Sequence, residues 1–286
     1  CRRVLEALGD RVDWFNPINE AGSVATGGYL GGWGFPPDVQ DYGQFRGAVA
    51  GLVEGHHRAV AAVRELRPGA KVGTGLLSSE SRAIGGGVVA AELMSQEVEE
   101  PFIAAAADDD FIGVQTYTRF TFSGTEEEGE ALREAANTKP PEEVWPLVNA
   151  MTVNAPGTTA PPGVRLTDMG WEYAPEAGAE TVRRIAARYP DKDLFVTEHG
   201  LATQDDAERV EFIQKGLAAL HETIEDGVRL RGYLHWSLLD NFEWALGYGM
   251  RFGLVEVDRT TQRRTPKPSA QLLGEVARTG RLTLPG

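Results

Sequence analysis

Two glutamates that each follow a short apolar run are the residues of this sequence best suited to chemistry. Glu20 ends the segment NPINE at positions 16–20, and Glu198 lies in VTEHG at positions 196–200. A protonated carboxylic acid can donate a proton to the leaving oxygen of a glycosidic bond, while an ionised carboxylate attacks or stabilises the anomeric carbon. Because the two residues lie 178 positions apart (198 minus 20), only a closed fold can pair them. The alternative for Glu20 is a strand-terminal residue that caps the next helix.

A cluster of aromatic and acidic residues near the C-terminus has the composition of a sugar-binding site. This segment is WSLLDNFEW at positions 236–244 and includes Trp236, Glu243 and Trp244. An indole face covers the apolar side of a pyranose, and a carboxylate accepts hydrogen bonds from two hydroxyls. Isolated tryptophans more often pack in a core, but their occurrence with the two glutamate motifs favours binding.

Strand and helix patterns alternate along the chain and would have to position these side chains. Short, nearly continuous apolar runs predict strands at residues 12–19, 71–77, 111–117, 193–198 and 232–236. Apolar residues at helical spacing predict helices at residues 42–66, 176–189, 206–226 and 267–278. The repeated strand-then-helix order predicts an α/β fold with a parallel sheet and right-handed crossovers.

Two stretches interrupt this alternation and are predicted to be long loops. Residues 22–41 are rich in Gly and Pro, and residues 120–175 contain an acidic patch at 126–130 and a proline-rich part at 155–163. Both follow a predicted strand, and the loops at the carboxyl ends of strands are where an α/β barrel builds its active site. No composition shift marks a second domain, so we expect residues 1–286 to form a single domain.

The composition excludes several classes of protein. A net charge of −14 argues against nucleic acid and anionic membrane surfaces as partners, and no run reaches the ~18 apolar residues of a membrane span. The sole cysteine, Cys1, excludes internal disulfides and Cys-based zinc sites and predicts a cytoplasmic location. His56 and His57 lie on a predicted helix without a third metal ligand at suitable spacing.

The order and spacing of these motifs resemble those of glycoside hydrolase family 1, the β-glucosidase family of (β/α)8 barrels. The resemblance runs from about Arg2 to about Arg278 and corresponds to the C-terminal two-thirds of a family member. The segment at 16–20 resembles the family motif Thr-x-Asn-Glu-Pro. This resemblance implies that Glu20 is the acid/base and that Asn19 binds the sugar 2-hydroxyl.

The segment around Glu198 resembles the family motif Ile/Val-Thr-Glu-Asn-Gly, which implies that Glu198 is the nucleophile. His199 replaces the usual Asn, Pro17 stands where the family has Thr, and Ala21 stands where it has Pro. The departures beside Glu20 affect the strand end rather than the carboxylate. His199 is either a polar loop residue or a neighbour that donates a hydrogen bond to the nucleophile or tunes its response to pH.

Further residues resemble the family's sugar-binding set. Tyr117 resembles the tyrosine that contacts the nucleophile, although packing inside the barrel is its alternative role. Gln115 stands where the family usually has Asn, Trp171 resembles the aromatic residue on the aglycone side, and Phe252 is expected to line the pocket. The full substrate-binding set implied by the resemblance is Asn19, Tyr117, Gln115, Trp171, Trp236, Glu243, Trp244 and Phe252.

The number of strands is smaller than this fold requires. A (β/α)8 barrel needs eight βα units in about 250 residues, whereas five strands are predicted here. We therefore expect an incomplete TIM barrel with roughly the last five βα units, three being absent on the N-terminal side. The family's Gln, His-Trp pair and Arg have no counterpart before Arg2, so the chain is either a fragment or a degenerate member, and the initial Cys1 favours a fragment.

The resemblance implies a retaining β-glycosidase that hydrolyses terminal non-reducing β-D-glucosyl or related residues without a cofactor or metal. Relatives that act on 6-phosphorylated sugars carry a Ser and a Lys near Glu243, and the absence of this Lys favours an unphosphorylated β-glucoside or oligosaccharide. Glucose, galactose and fucose are equally compatible with the sequence. Two alternatives stay open, namely a non-catalytic sugar-binding barrel fragment and a transglycosidase that uses the same covalent intermediate.

Overall fold

A computed structural model describes residues 1–31, 34–153 and 163–284 of the chain. The strands are β1 Trp14–Phe15, β2 Lys71–Leu77, β3 Glu80–Gly85, β4 Phe111–Thr116, β5 Arg119–Gly124, β6 Thr152–Val153, β7 Asp193–His199, β8 Leu230–Tyr233, β9 Val255–Val257 and β10 Arg264–Pro266. The helices are α1 Arg2–Leu8, α2 Ala21–Tyr29, α3 Tyr42–Leu66, α4 Gly87–Met94, α5 Glu100–Ala105, α6 Glu126–Thr138, α7 Pro141–Ala150, α8 Ala177–Arg188, α9 Asp206–Glu225 and α10 Pro268–Thr279.

The main sheet has five strands in the order β1-β2-β4-β7-β8. All four strand pairs are parallel, and each strand pairs with the next one of this sheet in chain order. This arrangement confirms the predicted α/β class and forms part of a (β/α)8 barrel. Within the described residues, β1 and β8 are the two edges of the sheet.

The predicted strands and helices match the observed ones closely, except at the first strand. β2 and α3 have the predicted bounds, and the other matched elements differ by one to three residues at an end. β1 is limited to Trp14–Phe15, although the chain meets β2 again where Asn19 pairs with Gly75. Pro17 lies between these two contacts and cannot donate a backbone hydrogen bond to a ladder.

The prediction that these two stretches are long loops is largely wrong. Residues 22–41 begin inside α2, and residues 120–175 contain α6, α7, β6 and all of β5 except Arg119. The acidic patch at 126–130 forms the first turn of α6, because Thr125 and Glu128 form a reciprocal capping box. Apart from Gly163, the proline-rich part at 155–163 lies outside the described residues.

The core lies between the main sheet and the helices that cover it. Strand residues Ile112 and Leu194 are fully buried, and they pack with Phe45 of α3, Val182 of α8 and other apolar side chains. Each such side chain stabilises the fold by about 1.5–3 kcal/mol through burial. This packing fixes the strand ends that carry the site. In the part of the chain that the structure describes, no helix is both long and apolar enough to cross a membrane.

Candidate active site

The carboxyl ends of the main-sheet strands bring the predicted site residues together. Gln115 at the end of β4 lies directly opposite Glu198 of β7. This pairing follows a register shift after Val114, where β7 contains one extra residue, Thr197. Such bulges re-aim side chains and are frequent beside active sites. Asn19, four residues after the end of β1, lies beside β2 and contacts the side chain of Gln115.

Both carboxylate oxygens of Glu198 accept hydrogen bonds from β4 and the residue after it. The side-chain amide of Gln115 donates to Glu198 Oε1 over 2.7 Å, and the hydroxyl of Tyr117 donates to Glu198 Oε2. The same amide nitrogen of Gln115 donates to Asn19 Oδ1 over 2.8 Å. These contacts hold the Glu198 carboxylate in one orientation. Tyr117 thus contacts the predicted nucleophile, as the resemblance implied.

Glu20 adopts an uncommon backbone conformation immediately before α2. Its φ of 46° and ψ of 54° are left-handed, and its backbone N–H donates to the carbonyl of Gly75 over 3.0 Å. Its side chain makes no capping hydrogen bond to the helix backbone, and Oε2 instead accepts from the hydroxyl of Ser23 over 2.8 Å. The helix-capping alternative for Glu20 is therefore wrong.

The electrostatic surroundings of the two glutamates differ. Burial raises the pKa of Glu20 to about 7, and the charges of Glu198 and Glu243 add to this rise against the hydrogen bond from Ser23. Burial also raises the pKa of Glu198, but hydrogen bonds from Tyr117 and Asn19 oppose the rise because they stabilise the ionised form. Glu20 therefore holds a proton near neutral pH, and Glu198 is provided with donors that suit an anion.

Three aromatic rings meet beside Glu198. The ring of Tyr117 lies 5.8 Å from that of Trp171 and 6.0 Å from that of Phe252, and the latter two rings are 6.4 Å apart. Trp171 is half-buried, whereas Phe252 is almost fully buried and supports the other two rings. The cluster forms an apolar wall next to the carboxylate, as expected for a sugar-binding pocket.

The segment at 236–244 contributes a third carboxylate. Burial raises the pKa of Glu243, while hydrogen bonds from Asn241 and the indole of Trp236 lower it. The Asn241 amide donates to Glu243 Oε2 over 2.8 Å. Trp244 is 69% exposed and its ring contacts that of Phe35 with centroids 6.2 Å apart, so it lies at the rim.

His199 does not act on Glu198, and the hypothesis that it donates to or tunes the nucleophile is wrong. Its two ring nitrogens hydrogen-bond the hydroxyl of Tyr233 at 3.1 Å and the carbonyl of Pro175 at 3.2 Å. The ring stacks on Phe212 with centroids 4.6 Å apart, and burial lowers the pKa of His199 to about 4. Successive side chains of a strand face opposite sides of the sheet, so His199 faces the helices.

Two side chains that contact the proposed catalytic or binding carboxylates were not predicted from the sequence. Ser23 hydrogen-bonds Glu20, and Asn241 hydrogen-bonds Glu243. The signal for Ser23 was its position three residues after Glu20, which is one helical turn away. Among the described residues, no three His, Cys, Asp or Glu side chains are grouped to hold a metal ion, and His56 and His57 of α3 therefore form no metal site there. His56 instead pairs with buried Asp109 at 3.0 Å.

The fold of the chain is similar to that of solved glycosidases. It superimposes on the β-glucosidase of Thermotoga maritima in complex with galacto-hydroximolactam with a TM-score of 0.82 and 25% identity, covering 99% of this chain and 67% of that one. A β-glycosidase crystal structure matches with a TM-score of 0.77 and 30% identity over 100% of this chain and 67% of the other. The partial barrel with carboxylates at its strand ends is therefore a glycosidase fold.

The chain belongs to glycosyl hydrolase family 1, whose family model matches residues 82–281. It is 30% identical to a β-galactosidase of Saccharolobus solfataricus, covering 96% of this chain and 57% of that protein. It is also 29% identical to β-glucosidase A of Thermotoga maritima, covering 97% of this chain and 66% of that protein. The chain thus spans between half and two-thirds of the length of these relatives.

Proposed function

We propose that this chain is the catalytic part of a retaining β-glycosidase that hydrolyses terminal β-D-glucosyl or related β-glycosyl residues. The observation that carries the proposal is the contrast between the two glutamates. Glu198 accepts hydrogen bonds on both oxygens, whereas burial raises the pKa of Glu20 to about 7. The names of the relatives, a β-galactosidase and a β-glucosidase, support a β-glycoside as the substrate.

In the first step, Glu198 attacks the anomeric carbon while Glu20 gives its proton to the leaving oxygen. The bond to the aglycone breaks, and a glycosyl–Glu198 ester forms. In the second step, Glu20 is ionised and takes a proton from water, which attacks the anomeric carbon and releases the sugar and free Glu198. Because both steps invert the anomeric carbon, the overall reaction retains its configuration, which requires carboxyl groups ~5–5.5 Å apart.

The remaining predicted residues are proposed to bind the sugar and its leaving group. Asn19 is proposed to hydrogen-bond the 2-hydroxyl, and Glu243 to accept two hydroxyls of the glycone. The indole of Trp236 is proposed to cover one sugar face. Trp171 is proposed to lie on the aglycone side, Phe252 to line the pocket, and exposed Trp244 to form the outer edge of the glycone pocket.

The decisive experiment replaces the proposed nucleophile. Glu198→Gly in the protein containing this chain should abolish hydrolysis, and azide should restore turnover by attacking the anomeric carbon in place of the carboxylate. The azide product should have inverted configuration, because only one displacement then occurs. Glu243→Gly is the matched control, since loss of a binding carboxylate should weaken activity without rescue by azide. A rescued product with retained configuration would contradict the role of Glu198.

We also propose that residues 1–286 belong to one barrel domain, which three further βα units would close between β8 and β1. Trp14 of β1 and Leu234, which follows β8, support this proposal, since they are 51% and 61% exposed. Unpaired parallel edges promote association. The 286-residue chain alone should therefore self-associate and turn over an aryl β-glucoside poorly. A monomeric chain with ordinary turnover, seen by light scattering and assay, would contradict the proposal.

A transglycosidase would use the same intermediate and transfer the glycosyl group to an alcohol or sugar. Product analysis with methanol as a competing acceptor distinguishes this activity from hydrolysis, because a hydrolase yields mainly the free sugar. An inactive protein that still binds glucose would instead support a sugar-binding role. The cytoplasmic location stays a prediction.

A further inference from the structure

Ser23 makes a contact that helix formation does not require. It is the third residue of α2, and its hydroxyl donates to Glu20 Oε2 over 2.8 Å. Helical Ser and Thr side chains commonly donate to a carbonyl four residues earlier. Thr26 of the same helix does so, since its hydroxyl lies 2.7 Å from the carbonyl oxygen of Gly22. The hydroxyl of Ser23 is directed to the carboxylate instead.

The other groups around Glu20 offer it no positive charge. The titratable groups that face it are Glu198 on β7, Glu243 after β8 and Tyr117 after β4. Two of these are carboxylates, and the hydroxyl of Tyr117 is committed to Glu198. Among residues 1–31, 34–153 and 163–284, Ser23 is the one side chain that hydrogen-bonds the Glu20 carboxylate.

We propose that Ser23 is a positioning residue that holds Glu20 Oε2 and stabilises the carboxylate that Glu20 becomes when it gives its proton to the leaving oxygen in the first step. The inference rests on the proposed function, in which Glu20 is the acid and then the base. A donor hydroxyl at Oε2 leaves Oε1 to carry the proton toward the leaving oxygen. When Glu20 is ionised, the same hydroxyl stabilises the negative charge.

The need for this stabilisation follows from the surroundings. In the free enzyme, burial and the charges of Glu198 and Glu243 favour the neutral form of Glu20. In the glycosyl-enzyme Glu198 is an uncharged ester, and burial and Glu243 still favour that form. If Glu20 took up another proton after the first step, it could not accept one from the attacking water. The hydroxyl of Ser23 opposes this tendency without adding a cation, which would favour loss of the proton before the first step.

The test compares Ser23→Ala with Thr26→Ala, which removes a hydroxyl from the same helix but not from Glu20. The pKa of Glu20 is measured by ¹³C NMR of labelled glutamate carboxyls, with the signal assigned by Glu20→Gln. Ser23→Ala should raise this pKa by roughly half a unit to one unit, since the ionised form loses a donor. Thr26→Ala should leave it unchanged, and Ser23→Thr should restore it.

The kinetic counterpart uses a substrate with a good leaving group, for which breakdown of the glycosyl-enzyme limits kcat. Ser23→Ala should shift the basic limb of kcat/KM upward by the same amount. It should lower kcat on the acidic side by roughly three- to tenfold, because less Glu20 is ionised. An unchanged pKa of Glu20 in Ser23→Ala would overturn the inference, as would an equal shift in Thr26→Ala.

The proposed acid/base role of Glu20 can fail independently of the inferred role of Ser23. If the Glu20 pKa shifts as expected but Glu20→Ala impairs good and poor leaving groups equally, Glu20 is not the acid/base. That result would overturn the catalytic consequence while leaving the contact with Ser23 intact.

Discussion

The side chain of Gln115 connects Asn19 with Glu198, its amide nitrogen lying 2.8 Å from Asn19 Oδ1 and 2.7 Å from Glu198 Oε1. This connection passes over β2, which lies between β1 and β4. It does so at Gly75, where an added Cβ would lie 3.2 Å from Gln115 Nε2 and 3.3 Å from Asn19 Oδ1. Because Gly75 has no side chain, Gln115 and Asn19 can hydrogen-bond each other above β2.

Shortening this connection should impair catalysis. Gln115→Asn removes one methylene, so its amide should not reach both Asn19 and Glu198. We expect kcat/KM to fall roughly 10- to 100-fold, because a hydrogen bond to a charged group contributes about 1.5–3 kcal/mol. Gln44→Asn on the surface of α3 is the control. Unchanged kcat/KM in Gln115→Asn, measured with an aryl β-glucoside, would show that the connection is dispensable.

Adding a methyl group at Gly75 should disturb the same connection between Asn19, Gln115 and Glu198. In Gly75→Ala the new Cβ would lie 2.6 Å from Asn16 Nδ2, a distance too short for an ordinary contact. We expect lower kcat/KM and a lower free energy of unfolding. The control is Gly51→Ala in α3, where no atom lies within 4 Å of the added Cβ. That change should stabilise the helix by roughly 0.5–1 kcal/mol, and urea unfolding measures both variants.

Removing the Tyr117 hydroxyl should change the pH dependence. The hydroxyl lowers the pKa of Glu198, so Tyr117→Phe should raise that pKa. Because the nucleophile acts in its ionised form, the acidic limb of kcat/KM should move to higher pH and activity should be lost first at low pH. Tyr42→Phe, which removes a hydroxyl bonded to Glu97, is the control. An acidic limb that stays in place in Tyr117→Phe would contradict this role.

Loss of the proposed acid should depend on the leaving group. Glu20→Ala should reduce turnover of alkyl β-glucosides by roughly 10²–10⁴-fold, the usual contribution of general acid catalysis. Nitrophenyl glucosides should lose much less in the first step, because their leaving group needs little protonation. Rates for a series of aryl and alkyl glucosides measure this dependence, and a uniform loss would argue against the acid role.

A buried arginine should be important for stability. Arg119 is 7% exposed and its guanidinium pairs with Glu80 at 2.7 Å, Glu172 at 3.1 Å and Glu176 at 3.3 Å. Arg119→Met removes the cation shared by these carboxylates and should lower the free energy of unfolding by about 3–5 kcal/mol.

The matched control for this change is Arg82→Met. The side chain of Arg82 is 47% exposed and lies 3.8 Å from Glu172, so its loss should cost at most about 1 kcal/mol. Urea unfolding of both variants measures the difference. Equal effects would show that burial does not distinguish the two arginines.

The strands of the main sheet were predictable where burial on both faces made them apolar. β2 and β4 read as nearly continuous apolar runs, and the end of β4 positions Gln115 and Tyr117. β3 escaped prediction because most of its residues are exposed and it is held by pairing with β5. Its sequence therefore shows no burial pattern, and the strand depends on pairing with β5, which lies more than 30 residues further along the chain.

Helix α2 and the contacts of His199 and Ser23 were harder to predict, each for a different reason. α2 contains three glycines, which disfavour helix in isolation, and tertiary packing of Ala25, Gly27 and Gly28 stabilises it. The role suggested for His199 failed because neighbouring strand residues face opposite sides. Ser23 has no motif of its own, and its role depends on where Glu20 points.

The order of the main sheet has a consequence for how the protein is made. Each strand neighbours the one translated before it, so the sheet is able to grow by one strand at a time as the nascent chain leaves the ribosome. Asn19 and Gln115 would meet once β4 is added, before Glu198 has been synthesised. The site therefore assembles in the direction of translation, and ribosome-bound chains arrested once β4 has left the ribosome are expected to form the Asn19–Gln115 hydrogen bond before the bonds to Glu198.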